Sequence, residues 1–140
     1  QYKPFETLFI SVASGKPLSF YESYLSSASP FVRAMPNTPL SIHQGAIAFL
    51  SKSSLSPQNK QMLENCFRGM GFSFWVNSDD DLDKVTALTG SGPAYVFYMI
   101  EAFAQAAKTL GFSEEISLQM AISTFEGASI YAQQSARLPK

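Results

Sequence analysis

The chain has 140 residues, ten of them Lys or Arg and eleven Asp or Glu, for a formal net charge of -1. That balance provides no basic field for a phosphate backbone, so nucleic acid is not an expected partner, while a hydrophobic content of 46% suffices for an ordinary folded core. Cys66 is the single cysteine and His43 the single histidine, which excludes a disulfide framework or a Cys/His metal site built within one chain.

In chain order, residues 8–13 form a short apolar run closed by Ser14-Gly15, the pattern of a buried parallel strand. Residues 17–25 place Leu18, Tyr21 and Leu25 at helical spacing, and the Ser/Ala/Pro stretch after them breaks the helix. Residues 31–35 predict a second strand that must stop before Pro36, since proline lacks a ladder donor. Residues 45–50 predict a third strand and residues 72–76 a fourth. Between them Ser56-Pro57 starts a helix whose apolar face is Met62, Leu63, Cys66, Phe67 and Met70. The order is β-α-β-β-α-β.

No strand candidate follows residue 78, so a domain boundary is expected there, with residues 1–78 in one domain and 79–140 in the next. Residues 79–88 predict a helix whose opening carboxylates, Asp79, Asp80, Asp81 and Asp83, suit a helix N-terminus. They are read as a solvated helix start in preference to a cation site. Ser91-Gly92-Pro93 opens a longer helix, with a hydroxyl for capping and proline in the first turn, running to Leu110 before Gly111. Its apolar residues wrap most of the circumference. Ser113 caps a last helix with Glu114 and Glu115 in its first turn. Two such helices cannot cover each other, so more helices are required from residues beyond Lys140, from a second chain or from both, and a homo-oligomer formed through this half is expected.

Arg33-Ala34-Met35-Pro36-Asn37-Thr38-Pro39 followed by Gly45-Ala46, and Thr89-Gly90-Ser91-Gly92-Pro93-Ala94-Tyr95, resemble the RxMPNTP and SGSGPAY segments of pyrroline-5-carboxylate reductases. Residues 10–15 resemble the strand and turn that precede both. The resemblance spans essentially the whole chain in order and spacing. Position 14 is Ser where the family more often has Ala, and position 89 is Thr where it more often has Ser. The family's GxGxxG phosphate loop and its SPGGTT segment do not occur in these residues. The chain opens on Gln1 rather than methionine and closes on Leu138-Pro139-Lys140 after a helical pattern. It is therefore read as an internal fragment.

The resemblance implies a fold that is α/β followed by all-α: the C-terminal part of a Rossmann-type NAD(P)-binding domain, then the first helices of a helical dimerisation domain. It implies an oxidoreductase of proline biosynthesis that reduces the small molecule L-1-pyrroline-5-carboxylate to L-proline with NADPH or NADH, the fragment alone being inactive. In such chemistry the cofactor carries the hard step and the protein binds and orients. A protonated imine is already electrophilic, so no catalytic acid or base is assigned. No apolar run nears the ~18 residues of a spanning helix and no secretory pattern opens the chain, which makes a cytoplasmic protein without membrane attachment the expectation.

Ligands in open α/β sheets bind beyond the carboxyl ends of strands. By resemblance, Ala13, Ser14, Gly15, Met35, Pro36 and Asn37 carry the cofactor-contacting role; the competing reading is that Gly15 and Pro36 only make turns. Thr89, Gly90, Ser91, Gly92 and Pro93 are substrate-pocket candidates, or else small residues that permit tight helix packing while Ser91 caps. Arg33 either binds an anion or pairs with an acidic neighbour. His43 is read as a solvated turn residue, and Phe72, Phe74 and Trp75 as strand packing. Two other functions remain: a related imine or hydroxyacid reductase, and a non-catalytic assembly module.

Overall fold

In the computed structural model of the chain, residues 7–25, 29–51 and 55–135 are described. Part of the stretch expected to end the first helix, and both ends of the chain, lie outside them. The chain divides into two compact units, residues 1–93 and residues 94–140.

The first unit is built on a four-stranded sheet of order β1 (Phe9–Ser11), β2 (Phe31–Pro36), β3 (Gly45–Ser51) and β4 (Gly71–Trp75). β1 and β2 run parallel, β2 and β3 antiparallel, and β3 and β4 parallel. Helix α1 (Leu18–Glu22) follows β1 and helix α2 (Pro57–Phe67) follows β3, giving the expected alternation. β1 lies at the sheet edge with Ile10 exposed, not buried as the apolar run suggested. β2 also differs, because it includes Pro36, which pairs with Ile47. Strand amides alternate in direction, and that of Asn37 bonds Ala46 O on β3. The nitrogen of Pro36 thus faces the side where β1 has already ended opposite Arg33, so no ladder bond is lost.

Alternation along the central strands makes two cores. Val32, Ala34, Ile47 and Phe49 point to one face and pack with Leu63 of α2, flanked by Phe67 and Trp75. Met35, Ala48 and Leu50 point to the other and pack with Leu82 and Val85 of helix α3 (Asp79–Val85), flanked by Leu18, Phe74 and Val76. The helix α2 starts as expected, Ser56 Oγ accepting from Asn59 N with Pro57 in the first turn. Its apolar face is narrower than expected: Leu63 and Phe67, one turn apart, face the sheet, whereas Met62 and Cys66 are exposed. Phe72 is exposed too and stacks on Phe74.

The second unit is a hairpin of α4 (Gly92–Thr109) and α5 (Glu114–Gln134), joined through Gly111 at φ 95°. That conformation is open to glycine and strained for residues with a Cβ. Ser113 Oγ caps α5 by accepting from Ile116 N. Ala107, Ser117 and Ala121 are buried, and Phe103 meets Phe125 edge to face at 6.2 Å. Most other apolar side chains are exposed, among them Tyr98 at 72%, Leu110 at 79% and Tyr131 at 74%.

Candidate functional site

Because β1 and β2 are parallel, with Ser11 opposite Arg33, their carboxyl ends reach the same end of the sheet. Ala13, Ser14 and Gly15 leave β1 there in an exposed turn, and Met35, Pro36 and Asn37 end β2 there. Gly15 has φ 71°, and a Cβ built on it would meet no described atom within 4 Å. The turn thus needs glycine for its backbone and leaves that backbone open to approach. Ser11 Oγ braces its start, accepting from Ala13 N at 3.2 Å and lying 2.6 Å from Tyr21 Oη. The same end of the sheet holds a close backbone approach: Gly71, at φ 134°, sits opposite Gly45, and a Cβ on it would fall 2.0 Å from Gly45 O.

An arginine in the strand sequence Phe-Val-Arg-Ala-Met needs a partner, since a buried unpaired charge is costly. The structure supplies Asp79. The side chain of Arg33 is 2% exposed and its Nη1 is ion-paired with Asp79 Oδ1. Both Asp79 oxygens also accept from Leu18 N, at 3.2 and 3.1 Å. One carboxylate at the first turn of α3 thereby joins β2 to the start of α1, the helix that continues the Ala13–Gly15 turn. Of the two readings of Arg33, the acidic neighbour is the one observed. The link from Asp79 to Leu18 had no sequence signal of its own.

The other opening carboxylates are on the surface. Asp80 pairs with Lys84 at 2.6 Å, and Asp81 with Lys84 at 3.5 Å. The Ser78 hydroxyl, with Lys84 adding to it, holds the Asp81 carboxyl below the usual aspartate range, and the bond to Asp80 raises the Lys84 ammonium.

After Val85 the expected helix does not continue to residue 88 in regular form but widens into a π turn over Thr86–Gly90. Thr86 Oγ1 donates to Leu82 O and Thr89 Oγ1 to Val85 O, and Ser91 N bonds Thr86 O, five residues back, at 2.9 Å. Ser91 does not cap the next helix. Its hydroxyl donates to Thr86 O at 3.1 Å, closing the π turn from the far side. A Cβ on Gly90 would be in ordinary contact with Thr86 and Met35, and one on Gly92 would meet no described atom within 4 Å. Neither glycine is forced by crowding.

The two candidate segments meet. Asn37 Nδ2 donates to Thr89 O at 3.1 Å, and Asn37 Oδ1 accepts from Ala46 N at 2.8 Å. The strand end carrying Met35-Pro36-Asn37 is therefore bonded to the turn carrying Thr89 and Gly90, across 52 residues of sequence. His43 ends the short 3₁₀ turn Thr38–Ile42 with φ 62° and is exposed. Among the described residues no group of three or more His, Cys, Asp or Glu could hold a metal ion, and no helix is long and apolar enough to cross a membrane.

Residues 79–140 match the family described as pyrroline-5-carboxylate reductase dimerisation. The chain is 34% identical over 130 residues to the pyrroline-5-carboxylate reductase of Pseudomonas aeruginosa, covering 93% of the chain and 48% of that protein. It is 33% identical over 124 residues to that of Mycobacterium tuberculosis, covering 89% and 42%. Among solved structures, a pyrroline-5-carboxylate reductase from Coxiella burnetii matches with a TM-score of 0.86 and 38% identity, over 94% of this chain and 50% of that one. The Plasmodium falciparum pyrroline carboxylate reductase with NADP bound matches with a TM-score of 0.88 and 27% identity, over 96% and 54%. The chain spans about half the length of the relatives it matches.

Proposed function

Because the chain belongs to the pyrroline-5-carboxylate reductase family, we propose that it supplies one wall of an NAD(P)H site and the first dimerisation helices of an enzyme reducing L-1-pyrroline-5-carboxylate to L-proline. The observation that carries this reading is the bond from Asn37 to Thr89, which joins the cofactor-side strand end to the substrate-side turn in one rigid edge. A reaction that moves a hydride between two bound molecules needs such fixed adjacency.

The residues present fit the nicotinamide side of a dinucleotide. Ala13, Ser14 and Gly15 offer exposed backbone, and Met35, Pro36 and Asn37 form the adjoining strand end. Thr89, Gly90, Ser91, Gly92 and Pro93 border the space where the imine would sit, with the open position at Gly92 leaving room for it. When bound, NADPH or NADH supplies the hydride. The chain's residues orient and exclude water, and none is required as a strong acid or base. The phosphate-binding glycines and the carboxylate-binding segment of such an enzyme do not occur in these residues.

The same reading sets the domain boundary after Ser78, where strands end and the family match begins. It makes the helical half a homo-oligomer interface, supported by the apolar side chains exposed on α4 and α5. The protein is assigned to the cytoplasm and to proline biosynthesis. NADPH oxidation with pyrroline-5-carboxylate, followed spectroscopically, tests the function: the complete gene product carrying these residues turns over, and residues 1–140 alone do not. A folded, dimeric gene product without turnover contradicts the enzyme and favours a purely assembly role.

A further inference from the structure

The side-chain amide of Asn37 has two ends, and both are engaged by backbone: Oδ1 by Ala46 N at 2.8 Å and Nδ2 by Thr89 O at 3.1 Å. Its own N–H bonds Ala46 O at 3.1 Å. The residue is half-buried, and beside it the π turn brings Gly90 to where an added Cβ would lie 3.9 Å from Met35 Sδ. A group arranged in this way is set by the sheet and in turn sets the turn. Among the described residues, the other hydrogen bonds of the π turn, with Leu82, Val85 and Ser91, run along its own helical axis. The Asn37 amide is thus the hydrogen bond that ties it to the strand end, beside the packing of Val85 into the sheet core.

We propose that Asn37 is a positioning residue, acting through the Thr89 carbonyl to hold the substrate-side turn at a fixed separation from the cofactor-side strand end. The proposal rests on the functional reading above and sharpens it. The amide of Asn37 serves geometry between two ligands, and affinity for either one is secondary.

Two substitutions separate this from a merely structural part. In Asn37→Asp one carboxylate oxygen still accepts from Ala46 N, while the other opposes the Thr89 carbonyl where a donor stood. Asn37→Ala removes both bonds without adding charge. In the complete gene product, both variants are expected to lower kcat by about tenfold to a hundredfold, the range for a small misplacement of reacting groups. The fall in kcat exceeds any rise in the KM for NADPH, as expected for an interaction realised more in the transition state than in cofactor binding.

Amide exchange gives a readout independent of turnover: Ser91 N exchanges faster in both variants, while Ala46 N stays protected in Asn37→Asp. Wild-type kcat in either variant overturns the proposal, and so does a loss confined to Asn37→Asp, which would be an effect of charge. A rise in KM for NADPH at unchanged kcat also overturns it, by leaving Asn37 a role in cofactor binding alone. If the unsubstituted protein has no turnover, the functional reading fails, and unchanged exchange at Ser91 then overturns the positioning role as well.

Discussion

The two units of this chain place their apolar residues in opposite ways. In the sheet unit, Val32, Ala34, Ile47, Ala48, Phe49 and Leu50 are all almost fully buried, and each face of the sheet has its own helix. In the helical unit, only three residues of α4 and α5 are buried among those described, two of them alanines and one a serine. The first therefore has a core of its own on each face of the sheet. The second has a surface suited to another protein surface, since apolar patches of this extent are seldom left in water. One region thus buries its apolar residues within the chain, and the other leaves them on its surface.

The largest expected effects test the sheet unit. Asp79→Ala leaves Arg33 buried without a counter-charge, and a loss of about 3–5 kcal/mol in denaturant unfolding is expected. Replacing both with apolar residues, Arg33→Met with Asp79→Leu, should recover most of it. If the single and the double variant are equally unstable, the ion pair is not the cause.

Phe49→Ala opens the core between Leu63, Phe67 and Trp75 and should cost about 3–5 kcal/mol. Tyr98→Ser, on exposed α4, should by contrast change unfolding of the monomer by no more than about 0.5 kcal/mol while weakening association in sedimentation equilibrium. An equal stability loss in the two would erase the distinction between the regions. Ser113→Ala removes the cap of α5 and should cost about 1 kcal/mol, read as lost helicity.

The smallest effect is one of pH. Asp81 has its folded pKa depressed by Ser78 and Lys84. Its contribution is present above the ordinary aspartate value of 3.8 and fades as pH falls through the lower folded value. Circular dichroism should show α3 unaffected by this group from pH 7 to about pH 5, with loosening confined to the acid side.

Much of this was legible in residue pattern. Short apolar runs bounded by glycine, proline and other turn residues located all four strands, and Ser56-Pro57 and Ser113 marked two helix starts through ordinary capping chemistry. Other features were not, for physical reasons. Pro36 belongs to β2 because β1 is too short to need its amide, and strand length is a tertiary fact. The apolar face of α2 was overcounted because hydrophobicity does not say which side of a helix meets the sheet. The π turn over Thr86–Gly90 comes from hydroxyls that bond backwards along the helix, a choice Thr and Ser make according to context.

α3 shows a further limit. Its sequence opens the residues matched by the dimerisation family, yet Leu82 and Val85 complete the core of the sheet unit. Ancestry and packing divide the chain at different places. At the candidate site, the glycines and the strand ends could be named from sequence. That Asn37 reaches Thr89, and that Asp79 holds both Arg33 and the start of α1, required coordinates.

The measurement closest to the central claim is amide chemical-shift mapping of the complete gene product carrying these residues as NADPH is added. Perturbations concentrated at Ala13–Gly15 and Met35–Asn37, with smaller ones at Thr89–Pro93, are the predicted result. Saturable NADPH binding that leaves all three segments unperturbed would contradict it.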